Sequence, residues 1–442
     1  MDSFFNPRSV AVIGASTRPQ SLGHVLLKNI VEGGYEGDIY PINPRADTIL
    51  GLRAYPSILD VEAVVDLAIV MIPSTVIIEV VRQCGEKGVK ALVVISAGFS
   101  ESGNTELERA LIAEAERWGM RVIGPNCAGI INTSNKLYAS IESRISPGKI
   151  AFVTQSGALG GAVLAWAENE GIGFSKFASY GNASDVDEAD LISHLESDEE
   201  TEVITLYVEG VKDGRKFYEA TKRVARIKPV IVMKGGLSAA GSRAVQSHTG
   251  SLAGNRAIYM AAFKQAGVTY ANTIEDMFDM AKALIFQGRV SGGRVVVLTN
   301  SGGPAVMVAD ELEELGFSVP APSPDIKERL SFLPGFTSVR NPVDLTAQGS
   351  PENYAKVLEA LFSEDYYDAG IVVCVPPLGL DASEVAEAVA GVELTHKKPI
   401  IACFMAGELV VEAIPLLERR GIPNFPTPKR AARALRVLLK KS

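Results

Sequence analysis

The chain has 442 residues, of which 47% are hydrophobic and only 7% aromatic, with 41 glycines and a net charge of −9. That length predicts two to four domains, each with its own core, and the composition favours strands buried on both faces in α/β layers. The acidic balance argues against nucleic acid or an anionic membrane as partner, while leaving room for a local basic pocket that takes phosphates.

The chain opens MDSFFNPRSVAVIG, without a basic, apolar leader, and no apolar run reaches the roughly 18 residues of a membrane span. A cytoplasmic protein is expected. Cys84, Cys127, Cys374 and Cys403 are too widely spaced for a metal pattern or a disulfide framework. They are expected to pack as small core residues, and no metal site is expected.

SVAVIGAS, from Ser9, reads as a buried strand ending in a glycine turn, and LGHVLLKNIVEGG after it has helical periodicity closed by Gly33 and Gly34. Further strands are expected at DIYPINPR, DLAIVMIP, KALVVISAG and MRVIGPN, with helical stretches at 74–87 and 105–118. The pattern predicts a doubly wound parallel sheet of at least five strands. Its first turn, GASTRPQSLG, is a weak match to the dinucleotide fingerprint GxGxxG but suits a phosphate at a helix N-terminus, with Arg18 adding charge. The second strand ends in Asn43, Pro44 and Arg45 where an NAD-binding protein usually places an acid. A cation there suits a phosphorylated ribose, as in NADP or coenzyme A, although Arg45 in an ordinary solvated turn reads equally well.

From Gly148 the pattern restarts and then repeats. GKIAFVTQSGALGGAVLAWAENEGIGFS aligns without gaps, at an offset of 145, with GRVVVLTNSGGPAVMVADELEELGFSVP from Gly293. Thr154, Ser156 and Gly157 thereby match Thr299, Ser301 and Gly302. Two further α/β domains of similar build are expected, giving boundaries at 1–143, 144–288 and 289–442. In each copy TxSG falls between a strand and a helix start, where free N–H groups, a serine hydroxyl and the helix dipole converge on a candidate anion site. Helix capping by Ser156 and Ser301 uses the same groups, and sequence alone does not separate the two roles.

Between the copies, TEVITLYVEG reads as a strand ending at Glu209, the position where parallel sheets place chemistry. Residues 235–255 hold five glycines, four serines and four alanines around His248 and read as a mobile loop presenting an imidazole nucleophile. Glu209 is suited to fix the tautomer of His248 and to stabilise its cation.

GPNCAGI at 124–130, TQSGALG at 154–160, YVEG at 207–210 and SHTGSLAG at 247–254 resemble, in order and spacing, the α subunit of succinyl-CoA synthetase. The whole chain looks more specifically like the α subunits of ADP-forming acetate–CoA ligases. The resemblance implies a Rossmann-type CoA-binding domain followed by two flavodoxin-like domains. It also implies interconversion of acyl-CoA, ADP and phosphate with acid, CoA and ATP through an acyl phosphate and a phosphohistidine. His248 would carry the phosphoryl group and Glu209 would stabilise it. Ser156 and Gly157 would form one phosphate-binding helix start; Ser301, Gly302 and Gly303 would form the second. CoA would lie near Gly14, Ser16, Arg18 and Arg45, with Pro73, Ser96, Ala97 and Asn126 along the path to its thiol. The first loop departs from the succinyl-CoA synthetase pattern, and Arg45 stands where a lysine is common.

No Walker A motif occurs, so the nucleotide site is expected on another chain; the resemblance implies that this is an ATP-grasp β subunit holding ADP or ATP with Mg²⁺ in an α2β2 heterotetramer. Two rivals stand beside this reading. An NADP-dependent oxidoreductase leaves the histidine segment and the repeated TxSG without a role, and a non-catalytic CoA sensor needs neither His248 nor Glu209.

Overall fold

The five strands expected in the first third of the chain all form. In the computed structural model they pair in the order Asp38–Ile42, Ser9–Ile13, Leu67–Val70, Ala91–Val94, Arg121–Ile123, and every pairing is parallel. The inner three are buried along their whole length, as expected of Val-, Ile- and Leu-rich strands with helices on both faces. The helices Leu22–Gly33 and Ile77–Lys87 end on Gly34 and Gly88, each in the left-handed conformation that glycine adopts without steric cost. Strand order reverses between Ser9–Ile13 and Leu67–Val70, which opens a crevice at the C-terminal edge of the sheet.

The structure describes residues 1–249, 254–335, 337–392, 394 and 396–440, with the side chains of 247–249 and 440 excluded. These residues fall into two units, Met1–Ile274 and Glu275–Ser442. Unit one also contains a seven-stranded sheet in the order Thr269–Tyr270, Val230–Lys234, Val203–Val208, Pro147–Thr154, Phe174–Ser179, Gly129–Asn132, Leu137–Ser140. The last two strands form a hairpin antiparallel to Phe174–Ser179, so this sheet draws two strands from ahead of residue 144. One continuous apolar core serves both sheets of the unit.

Unit two carries a five-stranded sheet in the order Ser338–Val339, Val343–Asp344, Val295–Thr299, Ala369–Cys374, Ile400–Phe404, parallel except for its first pair. Helices Ile274–Phe286 and Pro428–Leu435 are joined by a bidentate pair in which Arg430 donates to both oxygens of buried Asp279 at 2.8 Å. The internal repeat extends to the structure: helices Gly157–Asn169 and Gly302–Glu314 have 13 residues each and begin and end at the same offset.

The expectation of a loop over 235–255 is corrected. Ala239–Thr249 is a helix. Ser238 accepts from the Gly241 N–H at 3.0 Å and supplies a cap that the glycine and serine count concealed. Within AAGSRAVQ the alanines, Arg243 and Gln246 are good helix formers, and Val245 anchors the helix by its burial against Gly236. Residue 248 lies in the last turn of that helix, whereas its side chain and residues 250–253 lie outside the described set. All four cysteines are free and buried, as expected. Among the described residues no helix is long and apolar enough to cross a membrane.

Candidate functional site

Two strand ends and a helix start enclose a cavity of about 360 Å³ in unit one. Its walls include Asn126, Gln155, Ser156, Gly157 and Glu209, so four of the residues singled out from sequence meet at one place. The turn that starts the helix is held by Thr154, whose hydroxyl donates to the Ser156 carbonyl at 2.9 Å and accepts from the Ser156 N–H at 3.2 Å. Ser156 caps the helix by accepting from the Leu159 N–H at 3.4 Å. Glycines let this helix lie close to its surroundings: a Cβ on Gly157 would stand 3.2 Å from that of Ala128, and one on Gly160 would stand 2.9 Å from the Phe177 ring. The result is a helix N-terminus aimed at a cavity, with N–H groups that the helix itself does not satisfy.

Glu209 follows the strand Val203–Val208 and is 7% exposed. Gln155 fixes its backbone, since the side-chain oxygen accepts from the N–H groups of Glu209 at 2.7 Å and Gly210 at 2.9 Å. From the neighbouring strand, buried Lys234 donates to the Glu209 carbonyl at 2.7 Å and lies over the Tyr259 ring at 4.8 Å. Burial pushes the Lys234 ammonium down to about 8, against the opposing pull of the Glu209 charge. Burial first, and then the Glu209 charge, raises the Tyr207 phenol.

Asn126 adopts a left-handed conformation at φ 57 and donates to the Asn182 side-chain oxygen at 3.2 Å. Asn182 in turn donates to Glu101 at 2.6 Å and Glu108 at 2.9 Å. Burial pushes both carboxyls up, but hydrogen bonds from Asn182, Ser100 and backbone amides outweigh it and leave both below the usual range. Neither Gln155 nor Asn182 was singled out from sequence. Gln155 was findable, because it sits inside TQSG and Asn300, a second side-chain amide, stands at the repeat offset.

The remaining unit-one candidates lie along the C-terminal edge of the first sheet. Gly14, at φ +95, follows the first strand, and a Cβ there would stand 2.2 Å from the Met71 carbonyl. The glycine is required by this close approach. The helix does not begin at once: its cap is Ser21, which accepts from the His24 N–H, so residues 14–21 form a loop rather than a tight cradle. Ser16 accepts from the Arg18 N–H at 3.1 Å, and Asn43 ties the next strand end to this loop by donating to the Ala15 carbonyl at 2.7 Å. Arg18 and Arg45 are exposed and make no ion pair among the described residues. Pro73 and Ala97 follow the third and fourth strands. The Ser96 hydroxyl is already engaged, donating to the Ile72 carbonyl at 2.6 Å and accepting from its N–H at 3.0 Å.

In unit two, Thr299 clamps the Ser301 backbone just as Thr154 clamps Ser156. The expected cap is absent: the Ser301 side chain makes no capping bond to helix Gly302–Glu314. Gly302 faces Asp344, whose carboxylate would stand 3.4 Å from a Cβ at that position, and a Cβ on Gly303 would meet nothing within 4 Å.

Comparison with known proteins places all three segments. Residues 8–133 match the CoA binding domain family, 147–284 the succinyl-CoA ligase like flavodoxin domain family and 295–438 the ligase-CoA domain family. The chain is 44% identical to the α subunit of an ADP-forming acetate–CoA ligase II of Pyrococcus furiosus, covering 100% of this chain and 98% of that protein. It is 43% identical to an ADP-forming acetate–CoA ligase I of Archaeoglobus fulgidus, covering 99% of this chain but 63% of that longer protein. In structure it is similar to an acetyl-coenzyme A synthetase of Ca. Korarchaeum cryptofilum solved with phosphate and ADP, with a TM-score of 0.93 at 38% identity over 99% of this chain and 96% of that one.

Proposed function

The chain belongs to the family of ADP-forming acetate–CoA ligase α subunits, and on that premise we propose that it interconverts acyl-CoA, ADP and phosphate with acid, CoA and ATP. The observation that carries this is the cavity that joins the Ser156–Gly157 helix start to the carboxylate of Glu209 and the amide of Asn126. Phosphate rests at the helix start, where aligned N–H groups also stabilise the oxyanion that forms as a phosphate oxygen attacks the thioester carbonyl. The carbon–sulfur bond breaks, CoA leaves as thiolate, and an acyl phosphate remains. A neutral imidazole nitrogen of His248 then takes the phosphoryl group, and the carboxylate product departs. Glu209, its backbone pinned by Gln155 and Lys234, stabilises the cationic phosphohistidine.

CoA runs along the edge of the first sheet, with Gly14, Ser16 and Arg18 near its diphosphate, Arg45 near the ribose phosphate, and Pro73, Ser96, Ala97 and Asn126 toward the thiol. The exposed cations at 18 and 45, without ion-pair partners among the described residues, support that placement. Ser301, Gly302 and Gly303 are the second phosphate-binding turn. The domains divide near 143 and 288, the first segment lending the hairpin Gly129–Asn132 and Leu137–Ser140 to the sheet of the second, and the protein works in the cytoplasm. ADP and Mg²⁺ bind an ATP-grasp β subunit in an α2β2 assembly, and the Archaeoglobus relative, longer than this chain, is consistent with a separate nucleotide-binding part.

The test is phosphoryl labelling. With the partner subunit, radiolabelled ATP and Mg²⁺, the wild type acquires acid-labile, base-stable label and His248→Ala acquires none. Label persisting in the variant removes His248 from the mechanism. The chain alone binds CoA, does not bind NADP, and makes no ATP from acetyl-CoA, ADP and phosphate.

A further inference from the structure

Glu142 lines the same cavity from the segment that follows the strand Leu137–Ser140. Its backbone is fixed at both ends of the residue: the N–H donates to the Ser140 hydroxyl at 3.1 Å, and the carbonyl accepts from Asn29 at 2.9 Å. Its carboxylate has neither hydrogen bond nor ion pair among the described residues. That carboxylate lies directly on the helix Gly157–Asn169, where a Cβ on Gly161 would stand 1.8 Å from Oε2. Gly161 is four residues beyond Gly157, which puts it on the same helix face, about one turn or roughly 6 Å along the axis from the anion-binding end. The groove floor therefore presents positively polarised N–H groups at one end and an unpaired carboxylate one turn further on.

We propose that Glu142 is a specificity-determining residue that makes the cavity reject acyl groups ending in a negative charge. The inference rests on the ligase reading above. With phosphate at the helix start and the acyl carbonyl bonded to it, the short tail of an acetyl group ends before Glu142. A tail longer by two carbons and ending in a carboxylate is brought against a like charge in a partly desolvated pocket, where no cation among the described residues pairs with Glu142. A neutral tail of the same length meets no such penalty.

The experiment uses the chain assembled with its partner subunit and compares kcat/KM for acetate, succinate and succinamate, the last being the monoamide of the second, with the reacting carboxylate kept and the far end uncharged. In the wild type succinamate is preferred to succinate by at least tenfold; in Glu142→Gln the ratio between these two falls to within about threefold, whatever happens to the absolute rate. Gly161→Ala, which displaces the carboxylate without removing it, moves the ratio the same way and serves if Glu142→Gln fails to assemble. Equal rejection of succinate and succinamate by the wild type, or a ratio unchanged in both variants, overturns the role of Glu142. Failure of the wild type to use acetate at all overturns the ligase reading instead.

Discussion

The two TxSG turns are alike in backbone and unlike in surroundings. Thr154 and Thr299 clamp their serines with the same pair of hydrogen bonds, and both open helices of 13 residues. The side-chain amide between threonine and serine reaches the end of the neighbouring strand in both. Gln155 holds Glu209 and Gly210, whereas Asn300 holds Val375 through its N–H and carbonyl, each at 2.9 Å. The amide of the first turn thus grips the residue that carries a carboxylate, whereas that of the second grips an apolar Val-Pro-Pro segment and the carboxylate beside that turn, Asp344, comes from a different strand. The repeated motif preserves the clamped turn, and the residue that its amide grips differs between the copies.

The sharpest way to break this comparison is to remove the carboxylate. Glu209→Gln is expected to lower ATP formation by about 100-fold or more, within the usual range for loss of a proton-handling or charge-stabilising group. Asp344→Asn, beside the second turn, costs less than about tenfold. Equal losses from the two would show that the turns are chemically equivalent.

Cutting the amide clamps comes next. Gln155→Leu leaves the buried N–H groups of Glu209 and Gly210 without an acceptor, Asn300→Leu leaves the part-buried N–H and carbonyl of Val375 without a partner, and each costs about 1–3 kcal/mol in denaturant unfolding. Only Gln155→Leu should also lower turnover, because it releases Glu209.

The serines give a smaller and more diagnostic contrast. Ser156→Ala loses a helix cap and about 1 kcal/mol, while Ser301→Ala, which loses none, leaves Tm unchanged. Both raise the KM for phosphate if both turns bind it. A Tm drop in Ser301→Ala matching that of Ser156→Ala would sink the distinction.

Last is a pH effect confined to the first region. Burial pushes the carboxyl of Glu188 up to about 7, aided by the charge of Asp187. Its folded value lies above its unfolded value, so its contribution is fully present below about pH 4.5 and is lost as pH rises toward 7. Glu188→Gln should therefore gain Tm relative to the wild type across that window, by about 2 °C or more at pH 7.5. A constant Tm difference from pH 5 to 7.5 would contradict the shift.

Much of this was legible in the chain. Five strands, the glycine helix stops and the offset of 145 all come from local pattern, because burial on both faces writes continuous apolar runs and helix ends write glycine. The candidate cavity was legible residue by residue, through TQSG, YVEG and GPNC, but not as an enclosure. The helix at 239–249 is hidden by a loop-like composition because its positions, not its residue counts, decide the structure: Ser238 is a cap and Val245 an anchor. Gln155 and Glu142 escaped notice because neither residue type at those positions signals anything until a strand end or a helix glycine is brought beside it.

The sequence by itself determined the layered α/β architecture, the duplicated strand–turn–helix unit and the candidate residues of the site, since each depends on neighbours a few residues apart. Only the tertiary structure decided that Ser156 caps and Ser301 does not, that Gln155 pins the turn of Glu209, and that the carboxylate of residue 142 lies on Gly161. Those contacts join residues from different strands and helices. Their energies come from burial and close approach, which no local pattern encodes.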